Sequence, residues 1–400
     1  MNAPVIAAEI AGRGVSAPAR RFPSPADFPD SPLSRALRQP VLLGLFLPIQ
    51  AGGWSSSTLP RTTTWTYDYN KALTLKAAAL GFDLVFGLSQ WLPKGGYGEV
   101  LNGQALDSFV ALSALTAVTS RIILISTLHV LYGPWHPLHL AKFGATLDHI
   151  SAGRWGVNVV TGHRAVEHEM FGWNRIDHDR RYELAAELLE AVQSLWTETE
   201  NFSYAGQAAW RLNQGFVTPK PLFGRPILVN ATGSDAGIAF AARTSDIVFV
   251  TSPGGTTIDH ARHSLPAHTA RVKQAGRDAG RQIRTLLNPM VICRDTEKEA
   301  WAYDDAIVDH VDRSSPAAFG RFDSDAHAWK QQEDRGTVAA RAVGGNIRLI
   351  GSPEQIVEQF IALRNAGVDG LQLSFYDFQP DLEHFGEQVL PLMKQAGLRH

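Results

Sequence analysis

The feature that most constrains the fold of this chain is a regular alternation of short apolar runs and longer amphipathic segments. After Pro40, eight apolar runs have the length of buried parallel strands and begin near residues 41, 82, 122, 154, 225, 246, 285 and 370. Helical periodicity or helix-boundary residues follow each run. Eight strand–helix units predict an α/β fold, a closed (β/α)8 TIM barrel. An open doubly wound sheet is the alternative, but its usual glycine fingerprint is absent.

The chain is expected to form one domain with an extension and two insertions. Residues 1–40 are rich in Pro, Ala, Ser and Arg, and are interpreted as a flexible N-terminal arm before a single barrel over 41–400. The arm lacks the apolar core of a secretory signal, so we expect a cytoplasmic protein. Segments near 197–224 and 312–346 are too long and polar for simple turns, and are interpreted as insertions.

Bulk charge and cysteine content argue against several function classes. The formal net charge is -2 and no like-charge block occurs, so neither nucleic acid nor an anionic membrane surface is an expected partner. No run of 18 apolar residues exists that would predict a membrane span. The single cysteine, Cys293, excludes an intramolecular disulfide framework.

Polar and aromatic residues crowd the predicted strand ends, where barrels of this type place their active sites. The candidates at these ends include Trp54, Trp91, Thr127, His129, Asn158, His163, Glu167, Gly233 and Ser234. This ring offers many hydrogen-bonding groups but few acid–base pairs. It favours binding of a large planar ligand and a small-molecule substrate over hydrolysis.

Several catalytic motifs are missing from the sequence. There is no G-x-S-x-G, no Walker A sequence and no G-x-G-x-x-G opening a strand–helix unit, which argues against a hydrolase elbow and a bound NAD(P)H domain. His136 and His139 do not form an H-E-x-x-H motif, so no metal site is expected.

One amide interrupts an otherwise apolar strand. Asn158 lies in the fourth run, WGVNVV, where an unsatisfied amide would cost stability. Two interpretations remain open at this point. Asn158 either bonds the backbone or a neighbouring polar side chain, or it binds a ligand near the barrel mouth.

Six segments resemble the bacterial-luciferase-like flavin-dependent monooxygenases. They are GLFLPIQAGGW, RWGVNVVTG, HDRRYELAAELLEAVQSLW, SDAGIAFAARTSDIVF, LIGSPEQIVEQFIALRNAGVDGLQLSF and HFGEQVLPLM, in order over about 41–397. The resemblance is greatest to the branch of pyrimidine oxygenase and dimethyl sulfone monooxygenase. It implies a (β/α)8 barrel with insertions, reduced FMN from a separate NAD(P)H-dependent flavin reductase, and O2 as co-substrate. A flavin peroxide, at N5 or C4a, would then attack the substrate.

The resemblance also implies roles for individual residues. Asn158 and Thr127 match positions that line the O2 pocket beside flavin N5, and are the candidate catalytic residues. Glu167 matches a flavin-contacting carboxylate; its alternative is a solvated loop charge. The other implied cofactor contacts are a phosphate-binding pair at a helix start, Arg181 and Tyr182, the loop of Gly233 and Ser234, and the residues after the second strand, Trp91 and Leu92.

The pocket departs from that of pyrimidine oxygenase. Trp91 and Leu92 stand where that enzyme has an apolar residue and a lysine, and His163 replaces a tryptophan. With Trp54, His129 and His163 as candidate substrate residues, the pocket is more aromatic than one suited to uracil. A sulfone, a pyrimidine-like heterocycle or a halogenated aromatic compound is the expected substrate.

Two other functions are compatible with this barrel. An F420-dependent hydride-transfer oxidoreductase would need no O2 pocket, and a non-catalytic flavin-binding protein would not need the full polar ring. The pair of Thr127 and Asn158 favours the monooxygenase. We further expect a homo-oligomer, a dimer or a tetramer.

Overall fold

A computed structural model describes residues 21–94, 103–131, 135–312 and 347–400. Its strands are β1 (Leu42–Phe46), β2 (Leu84–Phe86), β3 (Ile123–His129), β4 (Trp155–Val160), β5 (Phe202–Ala205), β6 (Arg211–Gly215), β7 (Ile227–Ala231), β8 (Ile247–Val250), β9 (Arg284–Leu287), β10 (Pro289–Cys293), β11 (Ile347–Gly351) and β12 (Gly370–Leu373). Eight of them close into a barrel in the order β1, β2, β3, β4, β7, β8, β9, β12, with parallel pairing throughout. The predicted (β/α)8 barrel is confirmed.

Helices alternate with these strands and cover the outside of the barrel. The described helices are α1 (Pro32–Ala36), α2 (Tyr67–Ala79), α3 (Ser108–Thr116), α4 (Pro137–Ile150), α5 (Ala165–Met170), α6 (His178–Thr197), α7 (Asp235–Thr244), α8 (Ile258–Asp278), α9 (Glu297–Asp309), α10 (Pro353–Asn365), α11 (Phe378–His384) and α12 (Leu390–Gln395). A short 3-10 helix, Pro25–Asp27, precedes α1, and a π-helix, Phe385–Val389, joins α11 to α12. Ser352 and Gln355 form a capping box at the start of α10.

The seventh apolar run, expected as one strand over 285–293, is divided in two. Its first part is β9, which lies in the barrel between β8 and β12. Its second part, β10, leaves the barrel and pairs in parallel with β11. The division falls at Asn288, just before Pro289, which has no N–H to donate to a strand ladder.

The barrel interior is apolar towards the N-terminal ends of the strands, and it contains both apolar and polar side chains near the mouth. Strand register and the stagger of roughly one residue per strand place Phe86, Asn158, Phe249 and Gln372 in one layer, contributed by alternate strands. Buried leucine, isoleucine and valine side chains fill the interior below this layer, including Leu42, Leu84, Ile123, Ile125, Ile227, Val229, Ile247 and Leu286. The polar side chains of Asn158 and Gln372 therefore sit on the floor of the mouth.

Residues 21–40, the second half of the expected arm, pack against the N-terminal end of the barrel. Leu33 of α1 is buried in the same cluster as the interior side chains. Ser24 Oγ donates a hydrogen bond of 2.6 Å to the carboxylate of buried Asp246. These contacts are made by the few apolar and capping residues scattered among the prolines of this segment.

The first of the two expected insertions, 197–224, contains the antiparallel hairpin of β5 and β6. Its connecting turn is held by Glu187 of α6, whose carboxylate accepts hydrogen bonds from three consecutive backbone N–H groups, those of Ala208, Ala209 and Trp210. Most of the second insertion, 313–346, lies outside the described residues. Among the helices that are described, none combines the length and the apolar composition needed to cross a membrane.

Candidate active site

Thr127 and Asn158 form a buried polar pair at the barrel mouth. They are register partners on β3 and β4, and Asn158 Nδ2 donates to Thr127 Oγ1 over 3.1 Å. The backbone N–H of Thr127 is held by Ser108 Oγ at 3.0 Å, and Ser108 in turn donates to the carbonyl of Gly87. Within the described chain, Asn158 Oδ1 is buried without a hydrogen-bond partner. The pair therefore retains hydrogen-bonding capacity for a small ligand.

Glu167 lies on α5 and is fully buried. Its carboxylate accepts from Arg164 Nη1 at 3.2 Å and from the backbone N–H of Trp91 at 3.5 Å. The alternative of a solvated loop charge is therefore wrong. This contact brings the loop after β2 together with the loop after β4, as expected if both surround one ligand.

His129 ends β3 and is buried near that carboxylate. Burial lowers the pKa of His129 to about 4, although the charge of Glu167 acts in the opposite direction. His129 is consequently neutral at physiological pH. A neutral imidazole can orient a substrate by hydrogen bonding or packing, but does not supply a cation.

The other predicted substrate and ring contacts surround the mouth. Trp54 Nε1 donates to the carbonyl of Phe46 at 3.2 Å, and the two rings lie 3.7 Å apart between centroids. Trp91 is 41% exposed and meets Phe171 edge to face at 5.3 Å. Leu92 and His163 are half-buried. Trp54 is thus fixed in the wall, whereas Trp91 presents an accessible aromatic surface.

Hydroxyl groups converge at the N-terminus of α7. Ser234 caps this helix, and its Oγ accepts from the N–H of Gly237 at 3.2 Å. Tyr182 reaches across from α6 to within 3.4 Å of Thr232 Oγ1. A Cβ added to Gly237 would lie 1.7 Å from Thr232 Oγ1 and 2.8 Å from the Tyr182 hydroxyl, whereas one on Gly233 would meet no atom within 4 Å. The open space at Gly233, the hydroxyls and the helix N-terminus together suit an anionic group.

Arg181 is placed differently from its predicted partner Tyr182. Its side chain is buried, and Nη1 donates to the carbonyl of Ile176 in the turn before α6. Consecutive helical residues point about 100° apart, so the two side chains diverge. At least one guanidinium nitrogen therefore stabilises this turn, while Tyr182 extends towards α7.

Two functional candidates at the mouth were missed in the sequence. Gln372 lies on β12 with both polar side-chain atoms buried and unpartnered within the described residues, and Asn288 Oδ1 beside it is in the same condition. Gln372 interrupts the apolar run GLQLSF just as Asn158 interrupts WGVNVV, so the same criterion would have identified it. Across the described residues, no group of three His, Cys, Asp or Glu side chains is arranged to hold a metal ion.

Sequence comparison identifies the family to which this chain is similar and two of its relatives. A family model described as luciferase-like monooxygenase matches residues 42–370. The FMNH(2)-dependent dimethylsulfone monooxygenase of Pseudomonas fluorescens (strain Pf0-1) is 32% identical over 368 residues, covering 90% of this chain and 96% of the relative. The pyrimidine monooxygenase RutA of Escherichia coli (strain K12) is 31% identical over 364 residues, covering 88% and 91%.

Solved structures share the fold at lower identity. DmoA from Hyphomicrobium sulfonivorans superimposes with a TM-score of 0.76 at 20% identity, covering 90% of each chain. An F420-dependent secondary alcohol dehydrogenase, with an F420-acetone adduct, gives a TM-score of 0.64 at 15% identity, covering 90% of this chain and 99% of that one. At such identities the likeness concerns the fold alone.

Proposed function

Because the chain belongs to the luciferase-like monooxygenase family, we propose that it oxygenates a small organic substrate with reduced FMN and O2. The substrate is a sulfone, a pyrimidine-like heterocycle or a halogenated aromatic compound. A separate NAD(P)H-dependent reductase supplies the reduced flavin. The observation that carries this proposal is the buried pair of Thr127 and Asn158, with an amide oxygen left unpartnered among the described residues.

The described residues fit the two ends of reduced FMN. Tyr182, Thr232 and Ser234 offer hydroxyl groups for the phosphate at the N-terminus of α7, where the close approach to Gly237 leaves no room for a side chain. Trp91, Leu92 and the buried carboxylate of Glu167 border the part of the mouth that would receive the ring. When bound, reduced FMN supplies the electrons for O2 activation.

The polar pair then acts on oxygen. Asn158 keeps a second Nδ2–H after bonding Thr127, and the Thr127 hydroxyl can still donate. These donors orient O2 and stabilise negative charge as the oxygen is reduced. Phe86 and Phe249 in the layer with Asn158 meet edge to face at 4.9 Å and exclude water from below. One positioned donor of this kind is typically worth about a hundredfold in rate.

The same barrel also serves F420-dependent hydride transfer in the structural neighbour. A hydride acceptor site needs no donors for O2, whereas Thr127 and Asn158 supply two. For this reason we favour oxygenation over hydride transfer.

The test combines the purified chain with a flavin reductase, FMN, NADH and 18O2. Dimethyl sulfone, uracil and a chlorophenol serve as substrates, and product 18O content is measured by mass spectrometry. We expect 18O incorporation into at least one substrate, and none when the reductase or FMN is omitted. NADH oxidation by the chain alone would contradict the two-component proposal, and F420 reduction with an alcohol would support the alternative. Light scattering tests the proposed dimer or tetramer.

A further inference from the structure

A second amide faces the interior from the opposite side of the mouth. Gln372 of β12 lies in the same layer as Asn158 of β4, and the two strands are diametrically opposed in the closed barrel. The Phe86–Phe249 contact, with centroids 4.9 Å apart, joins the other two members of this layer. The aromatic pair therefore separates the two amides, so Gln372 serves a different ligand group from the one at Asn158.

The side chain of Gln372 is 0% exposed, and neither Nε2 nor Oε1 has a hydrogen-bond partner in the described chain. Burying an amide without partners is costly, and an aliphatic side chain of similar size would stabilise the barrel better. Asn288 Oδ1, at the end of the adjacent strand β9, is also buried and unpartnered. These two neighbouring amides, whose buried polar atoms lack hydrogen-bond partners among the described residues, indicate a polar ligand at this place.

The surroundings of Gln372 restrict the chemistry of that ligand. Phe46 on the adjacent strand β1, and Trp54 tilted against it by 32° with ring centroids 3.7 Å apart, provide aromatic surface. Ser374, two residues beyond Gln372, donates to the carbonyl of Pro289 and carries no charge. Among the described residues, no charged side chain hydrogen-bonds Gln372, Asn288 or Ser374, so a neutral, flat group is favoured at Gln372 over a carboxylate or a sulfonate.

We propose that Gln372 binds the polar head of the substrate, a neutral group with a donor and an acceptor side by side, as in a carboxamide or a lactam. Such a group satisfies Oε1 and Nε2 together, whereas a sulfone satisfies Nε2 alone. This inference rests on the proposed function and narrows its substrate class. Gln372 anchors the substrate on one side of the aromatic pair, and Thr127 and Asn158 orient oxygen on the other.

The test measures binding of 2-pyrrolidinone, dimethyl sulfone and methanesulfonate to the FMN-saturated protein by calorimetry. The variants are Q372L and Q372M, which remove the amide while keeping its size. The control is Q193L, because Gln193 is buried on α6 and bonds its own helix at the Leu189 carbonyl. Thermal melting of all variants is measured without probe.

We expect 2-pyrrolidinone to bind the wild type and Q193L, and to bind Q372L and Q372M about tenfold more weakly or worse. Dimethyl sulfone should bind more weakly than the lactam, and methanesulfonate should not bind. Q372L should melt no lower than the wild type, because it removes two unpartnered atoms. Equal lactam binding by Q372L and the wild type, no probe binding at all, or a sulfone or sulfonate bound as tightly as the lactam would each overturn the inference. So would a loss of stability in both Gln372 variants, which would make Gln372 a structural amide.

This outcome is separable from that of the proposed function. Lactam binding that depends on Gln372, without 18O incorporation into any substrate, would contradict oxygenation and leave the binding site standing. Conversely, 18O incorporation that is unchanged in Q372L would contradict only the role of Gln372.

Discussion

Asn158 and His129 are polar residues inside an apolar barrel, and both are expected to contact a ligand as uncharged groups. Asn158 donates to Thr127 and keeps an unpartnered oxygen within the described chain. His129 has a pKa lowered to about 4 by burial. At the residue scale, the mouth therefore offers oriented dipoles to a ligand, and the buried carboxylate of Glu167 is the exception among these groups.

The Asn158→Ala variant removes one of the two donors proposed to orient oxygen and leaves the Thr127 hydroxyl in place. Product per flavin oxidised should fall by at least about tenfold, because positioned donors stabilise the reduced oxygen. FMN affinity should change little, since the phosphate end is proposed to bind at the N-terminus of α7. Flavin oxidation should continue with release of hydrogen peroxide, measured alongside product by peroxidase assay. Wild-type product yield in the variant would assign Asn158 a purely structural role.

The pKa of His129 gives a pH prediction with a definite sign. The neutral form is favoured in the folded state, so the contribution of His129 to stability falls as pH drops from about 6.5 towards 4. In a 15N-histidine NMR titration, the His129 signals should not move between about pH 5.5 and 8. The His129→Gln variant identifies those signals by their loss. A midpoint near 6.5 would show that the ring is hydrated.

Much of the residue-level site follows from polar residues at strand ends, but their partners do not. The sequence places Glu167 in a loop, and only the fold reveals that it is buried against Arg164 and the Trp91 N–H. The predicted pairing of Arg181 with Tyr182 depends on helical phase at a helix start, and the structure directs Arg181 to the Ile176 carbonyl. Contacts of this kind depend on loop geometry that periodicity does not encode.

At the scale of elements, the N-terminus of α7 has a shape that allows a ligand to come close to its backbone. Thr232, Ser234 and Tyr182 come from a strand end, a helix cap and the preceding helix, and meet above Gly237. Periodicity predicts each of these elements. The division of the seventh run into β9 and β10 was not predicted, because β11, which pairs with β10, lies far along the chain.

Gly237→Ala should displace Thr232 and Tyr182 and so weaken FMN binding. A side chain at this position would lie 1.7 Å from Thr232 Oγ1, a distance that forces the hydroxyl to move. We expect FMN affinity to fall roughly tenfold or more, the value of about one hydrogen bond to a charged group. Fluorescence quenching of FMN measures it. Ala239→Ser, at an exposed position of the same helix, is the control and should bind FMN with the affinity of the wild type. Equal FMN affinities in the two variants would show that the phosphate binds at another place.

At the scale of the whole molecule, a charged network ties the N-terminal segment to the barrel. Buried Asp246 accepts hydrogen bonds from Arg225, Arg281 and Ser24. Burial by itself raises the pKa of Asp246, but the attraction of Arg225 and Arg281 outweighs it and holds the pKa below the ordinary value.

Asp246→Asn should lower the free energy of unfolding by about 3–5 kcal/mol at pH 7, because two buried guanidinium groups lose their counter-charge. The folded pKa of Asp246 is lowered, so its contribution is present above the unfolded pKa of about 3.9 and is lost as pH falls through the folded value. Urea unfolding at several pH values measures this difference. Glu383→Gln, which removes an exposed pair with Lys76, should cost less than about 1 kcal/mol. A difference independent of pH down to about pH 2 would contradict this assignment.

Closure of the barrel by β1 and β12 has a consequence for synthesis of the chain. β1 is among the first strands to leave the ribosome, but it gains its second neighbour only when β12 emerges. Arg399, which bonds the Val41 carbonyl and Asp83, comes later still. Until then the nascent sheet has two open edges, which are prone to pair with other chains. Translation that stops before residue 370 should therefore yield aggregating fragments, and chaperones should engage this protein until its last strand is made.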